Sequence, residues 1–150
     1  MELQFGDIGN IIQLAIAPVF LLTGVGTNLI VLTNRLARII DRSRVLEDRA
    51  QRQECAPGDE EEIRVLYRRA YLVNGAITLS TTCGLFICVV IAALFLGDAF
   101  GLRLAFFIAI LFVLAMLSLI GSFVYLLQEI FIATSNLSLR RRRIRIHQDN

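Results

Sequence analysis

The chain has 150 residues, 56% of them hydrophobic, and its fifteen basic residues are all arginine, since the sequence contains no lysine. This composition excludes an ordinary soluble domain, because a domain of this size exposes much of its area to water and would need more polar residues. The formal net charge is only +2 at pH 7, so the net charge itself says little about function. The position of the arginines along the chain is more informative.

The arginines occur in clusters that are separated by apolar stretches. Nine lie between Arg35 and Arg69, five lie near the C-terminus, and Arg103 lies alone between the two clusters. A helix needs roughly 20 apolar residues to cross a bilayer core of about 30 Å. We therefore predict an all-α integral membrane protein that forms a single domain over residues 1–150. Its three transmembrane helices should lie in the stretches without charge, at about residues 8–34, 71–97 and 104–128.

The same clusters predict an orientation, because arginines near the ends of spans are enriched on the cytoplasmic side. Residues 35–70 and the tail of residues 129–150 should be cytoplasmic, and the N-terminus and the Gly97–Arg103 turn should be outside. A cleavable signal peptide needs a basic start, whereas the first ten residues carry Glu2 and Asp7 and no base. We expect the first helix to be retained.

The arginine-rich segment of residues 35–70 predicts a helical hairpin. Neither Gly nor Pro interrupts this segment before the turn signal at Cys55–Gly58. Asp59 then has the position of an N-cap, and Glu62 that of its capping-box partner. Two antiparallel, coiled-coil-like arms would thus continue helices 1 and 2 into the cytoplasm. Nine arginines against eight acids favour ion pairing over nucleic-acid binding. The alternative is a solvated stalk that only connects the spans.

The C-terminal tail carries five closely spaced arginines. Each base near an anionic leaflet can contribute about 1 kcal/mol of attraction. The tail is therefore a candidate contact for anionic lipid headgroups, and the alternative is a topogenic signal that holds the third span in place. The residues concerned are Arg140, Arg141, Arg142, Arg143 and Arg145.

Each span also contains uncharged polar or small residues, which should face protein or water because lipid offers no hydrogen-bond partners. Two interpretations remain open. These residues pack helices together, or they line a water-filled pathway, which would need several copies because three spans are few to enclose one. The candidate positions are Gln13, Gly24, Thr27, Asn28 and Asn34 in span one, Asn74, Thr78 and Thr81 in span two, and Ser118 and Ser122 in span three.

The sequence lacks the residues that several classes of function usually require. No carboxylate, lysine or histidine lies at mid-membrane depth, which argues against a pump or a proton-coupled carrier. The sequence contains no P-loop, GxSxG, HExxH or Rossmann glycine pattern. Its three cysteines have no histidine at metal-ligand spacing. We therefore expect no enzymatic activity, no cofactor and no metal site.

Two stretches carry a resemblance to a known family. The segments Gln13–Leu22 and Asn34–Arg42 resemble a family of small bacterial integral membrane proteins that is known only as a domain of unknown function. The similarity runs from about residue 8 to about residue 138. It implies a protein of the bacterial inner membrane with three helices, and it implies no catalytic residues.

A second resemblance concerns topology. Stator proteins of the ExbB and TolQ type share the external N-terminus and the short outer turn, and Thr81–Phe86 resembles their T-x-x-G-L span motif. The chain departs from them in span three, where serines replace the threonine and no mid-span acid occurs. Proton conduction therefore does not follow from the resemblance.

Two functions fit these observations. The first is a non-catalytic scaffold or partner subunit that forms homo-oligomers, because three spans cannot easily satisfy all their polar faces alone. The second is a passive pore for ions or small solutes, formed by several copies with helix 1 lining the axis. Its lining would be Gln13, Thr27, Asn28 and Asn34.

Overall fold

A computed structural model describes residues 5–52, 58–100 and 104–148 of the chain. The described residues form three α-helices. Each helix contains a segment that is long and apolar enough, by length and composition, to cross a membrane. The prediction of an all-helical, multi-pass membrane protein is confirmed at this level. The helices are α1 (Phe5–Gln51), α2 (Asp59–Ala99) and α3 (Ala105–Gln148).

All three helices are longer than the apolar stretches that predicted them. α1 and α2 continue into the arginine-rich segment, as expected where no Gly or Pro occurs. α3 continues to Gln148, although no helix was predicted for the tail. After Gly121 this helix contains neither Gly nor Pro, so no residue there interrupts its hydrogen-bond ladder.

The turn between α1 and α2 was predicted at Cys55–Gly58, of which residues 53–57 lie outside the described residues. Gly58 has a φ of 111°, a left-handed conformation that favours Gly. Its carbonyl oxygen accepts a hydrogen bond from the Glu62 N–H at 3.1 Å. Because the N-cap residue supplies the first carbonyl acceptor of a helix, Gly58 takes the position that was predicted for Asp59. Asp59 becomes the first residue of an acidic first turn, which suits the helix dipole.

One compact unit consists of Met1–Val31 and Thr78–Ser122. Its core contains side chains from all three helices, with Val25 from α1 and Ala115 from α3 among the buried residues. α2 and α3 approach closely here, because a Cβ added at Gly121 would lie 3.1 Å from Leu79 Cδ1.

The other compact unit consists of Leu32–Ile77 and Phe123–Asn150. α1 contributes buried residues at intervals of seven, which places them on one side of the helix. α2 packs against that side, and two residues of α3 complete the cluster. The buried residues are Leu32, Ile39 and Leu46 from α1 and Leu66, Val73 and Ala76 from α2, with Tyr125 and Leu126 of α3 packed against them.

Many large apolar side chains point away from the cores. Phe20 on α1 is 74% exposed and Phe106 on α3 is 79% exposed. Water-soluble monomers rarely expose extensive apolar patches, whereas lipid accepts them. The apolar outer surface therefore agrees with the three apolar spans.

Candidate functional site

Three polar side chains, one from each helix, meet inside the unit that contains Val25; we call them the Asn28 cluster. Nδ2 of Asn28 on α1 donates a hydrogen bond to Oγ of Ser80 on α2 at 2.8 Å. It also donates to Oγ of Ser122 on α3 at 3.4 Å, and the two hydroxyl oxygens are hydrogen-bonded to each other at 2.9 Å. Asn28 is only 9% exposed and both serines are fully buried. The cluster is therefore closed to lipid.

Ser118 adds a second polar contact between helices in this unit. Its Oγ donates a hydrogen bond to the backbone oxygen of Leu79 at 2.7 Å. Within the described part of the chain, every buried side-chain nitrogen and oxygen has a hydrogen-bond partner. These contacts can therefore hold three helices together, as expected for buried polar groups that find partners inside the protein.

The predicted polar positions divide into two groups. Asn28, Ser118 and Ser122 are buried and lie in the contacts just described. The remaining positions have exposed side chains or, for glycine, exposed backbone. They are Gln13, Gly24, Thr27, Asn34, Asn74, Thr78 and Thr81.

Several exposed threonines satisfy their hydroxyls within their own helix. Oγ1 of Thr27 donates to the carbonyl oxygen of Thr23 at 3.1 Å, and Oγ1 of Thr82 donates to that of Thr78 at 2.9 Å. Both bonds join residues four apart, which is a common alternative for Ser and Thr in helices. An exposed threonine in a span is therefore compatible with lipid and does not by itself indicate a water-filled pathway.

Ser80 is a central member of the Asn28 cluster that was not predicted. On a helix, Asn74, Thr78 and Thr81 share one side, and Ser80 lies on another side. The sequence held a signal in the spacing of its apolar residues. Cys83 follows Ser80 by three residues, Ile87 follows Cys83 by four, and both are buried. Apolar neighbours at this spacing indicate the side that faces the core.

A charged cluster lies in the other compact unit, and again each helix contributes one residue; we call it the Glu129 triad. Glu129 on α3 is 0% exposed. Its Oε2 accepts a hydrogen bond from Nη1 of Arg35 on α1 at 2.7 Å. Its Oε1 accepts bonds from Nε and Nη2 of Arg69 on α2, at 3.0 and 2.7 Å. Both carboxylate oxygens are thus bound by arginine.

The arginines of the Glu129 triad offset the electrostatic cost of burying the carboxylate. A buried carboxylate loses several kcal/mol of hydration, which is offset only when good hydrogen bonds replace the water. The side chains of Arg35 and Arg69 are 33% and 26% exposed, so they connect the buried anion with the surface. The sequence held a signal for this contact, because the predicted topology places all three residues at the cytoplasmic ends of their spans.

Beside the Glu129 triad lies a cavity of about 380 Å³; we call it the arginine cavity. Arg42 lines it and donates from Nε to Oε1 of Glu62 at 2.9 Å. Arg38 also lines it, and its Nε donates to the backbone oxygen of Asn34 on its own helix at 3.3 Å. Four arginines thus line the cavity: Arg35, Arg38, Arg42 and Arg69.

A larger, open cavity of about 660 Å³ occurs in the unit of the Asn28 cluster, and its lining is apolar. Pro18 of α1, Val90 of α2 and Phe112 of α3 are among its residues. Such a surface offers no hydrogen-bond partners to a hydrated ion. The two cavities therefore differ in chemistry: the apolar cavity suits hydrocarbon, and the arginine cavity suits an anion.

Other predicted features are not placed in a site. The side chains of Arg140, Arg141, Arg142, Arg143 and Arg145 lie outside the described residues, so their expected contact with anionic headgroups remains a prediction. Cys83 is buried and Cys88 is exposed, and both are free thiols. Among the described residues, no group of His, Cys, Asp and Glu could hold a metal ion.

Comparisons with known proteins give one match. The family model described as "Protein of unknown function (DUF2721)" matches residues 15–139 of the chain. No curated protein and no solved structure matches. The resemblance to a family of unknown function is thereby confirmed, and the likeness to stator proteins of the ExbB and TolQ type gains no support.

Proposed function

The chain belongs to the DUF2721 family of proteins of unknown function, and we propose that it is a non-catalytic membrane protein that forms a homo-oligomeric scaffold or a partner subunit. The bilayer and further copies of the chain are its main partners. The Asn28 cluster and the Glu129 triad hold the protomer together. Assembly uses other polar positions, which lie on the outer sides of the helices.

The proposal includes a location and an orientation. The protein resides in the bacterial inner membrane, with its N-terminus outside and its C-terminus in the cytoplasm. The distribution of arginine supports this, because nine arginines lie between Arg35 and Arg69 and five more lie in the tail. The arms of α1 and α2 that carry the nine arginines form a cytoplasmic helical hairpin. The tail arginines contact anionic lipid headgroups.

The observation that supports assembly is the exposed side of α1. Gln13 carries an amide that is exposed within a stretch free of charge, and lipid cannot supply partners for such a group. Gly24 and Thr27 lie on the same side of the helix. A Cβ added at Gly24 would meet nothing within 4 Å, so no other helix in the described part of the chain packs against this glycine. A second helix could approach α1 closely here, since small residues allow short distances between helices.

The number of copies tests this proposal. Chemical cross-linking in native membranes should show an oligomer, and Gly24→Leu should reduce it to monomers because the added side chain blocks close approach. Gly26→Leu is the matched control: it makes the same substitution two residues away, on the opposite side of α1, where an added Cβ also meets nothing within 4 Å, and the oligomer should persist. A wild-type chain that is monomeric in its membrane would overturn both the scaffold and any pore made of several copies.

A passive pore is the second candidate, and the exposed polar side of α1 favours it. Its lining would be Gln13, Thr27 and Asn34, because Asn28 is buried within the protomer. In proteoliposomes, Thr27→Leu should then abolish ion flux without dissociating the oligomer. Asn28→Leu is not a clean test, since it would disturb contacts inside the protomer. If the wild-type oligomer conducts no ions or small solutes, only the scaffold remains.

A further inference from the structure

The arginine cavity carries more positive charge than its acidic neighbours neutralise. Four arginines line it: Arg35, Arg38, Arg42 and Arg69. Two carboxylates face them: Glu129 accepts bonds from Arg35 and Arg69, and Glu62 accepts one from Arg42. Asp59 also interacts electrostatically with Arg42, so four positive charges against three negative ones leave a net charge of +1 around a space of about 380 Å³. Such a space attracts an anion.

The guanidinium groups keep hydrogen-bond donors available. Each has five N–H donors in a fixed planar fork. Between described residues, Arg35, Arg38 and Arg42 each use one of them. Arg69 uses two, both on Glu129. Most N–H groups of these four arginines thus make no bond to another described residue and are available to a ligand with several acceptor oxygens.

The geometry around Glu129 and Glu62 prepares the cavity for such a ligand. The Glu129 triad fixes Arg35 and Arg69 from two different helices, and the bond to Glu62 fixes Arg42. Holding long side chains in place beforehand reduces the entropy that binding would otherwise cost. Arg38 bonds only to its own helix among the described residues, so its guanidinium can turn toward a ligand.

We propose that the arginine cavity binds a phosphate group, either in the headgroup of an anionic lipid or as free phosphate. Arginine forks match phosphate oxygens in pairs, whereas a halide would use only the charge. Arg35 directly follows the apolar stretch of α1, and Arg69 precedes that of α2 by two residues. The cavity therefore lies where an inserted chain meets the headgroup layer. This site does not depend on how many copies of the chain assemble.

Binding to the full chain in neutral detergent tests the site, with three probes used separately. They are phosphatidylglycerol, inorganic phosphate and oleate, which is an anion with a carboxylate head. Native mass spectrometry measures lipid retention, and the midpoint of thermal unfolding measures stabilisation. Phosphatidylglycerol should be retained and should raise the midpoint, and oleate at the same mole fraction should do neither.

Arg38→Gln is the decisive variant, because it removes a guanidinium that takes no part in the Glu129 triad. It should weaken phosphatidylglycerol binding about tenfold, the loss expected for one charge-assisted hydrogen bond. Arg42→Gln should also weaken phosphatidylglycerol binding, so that the conclusion does not rest on the correct folding of one variant. Arg44→Gln is the matched control: Arg44 is exposed on the same helix and does not line the cavity, so binding should be unchanged.

The outcomes separate the two sources of phosphate. If inorganic phosphate at millimolar concentration raises the midpoint of the wild type but not of Arg38→Gln, free phosphate is the ligand. If only phosphatidylglycerol acts, the lipid headgroup is the ligand. The proposal is overturned if oleate binds with the same dependence on Arg38, if neither phosphate probe binds, or if Arg44→Gln weakens binding as much as Arg38→Gln.

Discussion

At the scale of single residues, two polar contacts join the helices by different means. Asn28 reaches two hydroxyl groups and stays neutral. Hydrogen bonds between helices in membranes contribute about 0.6 kcal/mol on average. Glu129 is charged and fully buried, so its stability depends on both arginines that bind it. Loss of a partner from a buried ion pair typically costs about 3–5 kcal/mol. The charged contact should therefore be the more sensitive of the two.

Asn28→Ala should lower the free energy of unfolding by about 1–2 kcal/mol, because it removes two hydrogen bonds and leaves two serines without their amide donor. Unfolding by a denaturing detergent in mixed micelles measures the change. Thr27→Ala is the control, since the Thr27 hydroxyl is exposed and bonds only to its own helix. Equal effects of the two substitutions would contradict the role assigned to Asn28.

Arg69→Ala should destabilise the protein more than Arg35→Ala. Arg69 donates two hydrogen bonds to Glu129 and Arg35 donates one. Each variant leaves the buried carboxylate with a single partner, so we expect losses up to the range of about 3–5 kcal/mol. The same mixed-micelle titration gives the order. Arg44→Ala, at an exposed position on α1, should have little effect. The reverse order of Arg35 and Arg69 would argue against the observed geometry.

At the scale of the helices, close approach depends on small residues at particular positions. A Cβ added at Gly75 on α2 would lie 3.2 Å from Cε1 of Tyr125 on α3. This distance is shorter than ordinary contact, so the glycine lets the tyrosine ring pack against the backbone of α2. Gly24 and Gly26 on α1 have no such neighbour. Glycines in apolar spans thus serve different purposes, and only some of them act within the protomer.

Gly75→Leu should destabilise the protomer by about 1–3 kcal/mol, since overpacking displaces Tyr125 and shifts the helices. Gly26→Leu provides the control, because no atom lies within 4 Å of a Cβ at that position. Thermal unfolding in detergent compares the two variants. A loss of stability at Gly26 as large as that at Gly75 would show that the two glycines do not differ in their packing.

At the scale of the whole molecule, the order of apolar and arginine-rich segments determines how the chain can insert. If all three apolar helices cross the bilayer, as we propose, the number of crossings is odd and the two ends lie on opposite sides. Guanidinium groups at the bilayer centre are costly, by roughly 2.5–3.5 kcal/mol or more each. We therefore expect the nine arginines between Arg35 and Arg69 to stay on one side together.

Labelling of single cysteines in intact cells tests the proposed orientation. After the native cysteines are replaced, an impermeant maleimide should label Ala99→Cys and should not label Gln51→Cys. Both side chains are exposed, so burial in the protein does not protect them. Opening the cells should make Gln51→Cys reactive, which is the positive control. Labelling of Gln51→Cys from outside would reverse the orientation.

The sequence alone determined the number of helices and their approximate ends, except the C-terminal end of α3, which lies about 20 residues beyond the predicted span. Charge-free stretches of the required length predicted three apolar helices, and the absence of Gly and Pro predicted the extension of α1 through the arginine-rich segment. These features depend on the local composition of each segment, because hydrocarbon rejects charge and a helix needs a continuous run of suitable residues. The sequence also predicted candidate packing or pore-lining positions at Asn28, Ser118 and Ser122, because polar residues are conspicuous in apolar spans.

Only the tertiary structure decided which polar groups meet. Ser80 enters the Asn28 cluster while Thr78 and Thr81 remain exposed, although all three lie within four residues of each other. The pairing of Glu129 with Arg35 and Arg69 joins residues that are 94 and 60 positions apart. Such contacts depend on the rotation of each helix about its own axis. That rotation is set by packing against the other two helices, and no single segment contains this information.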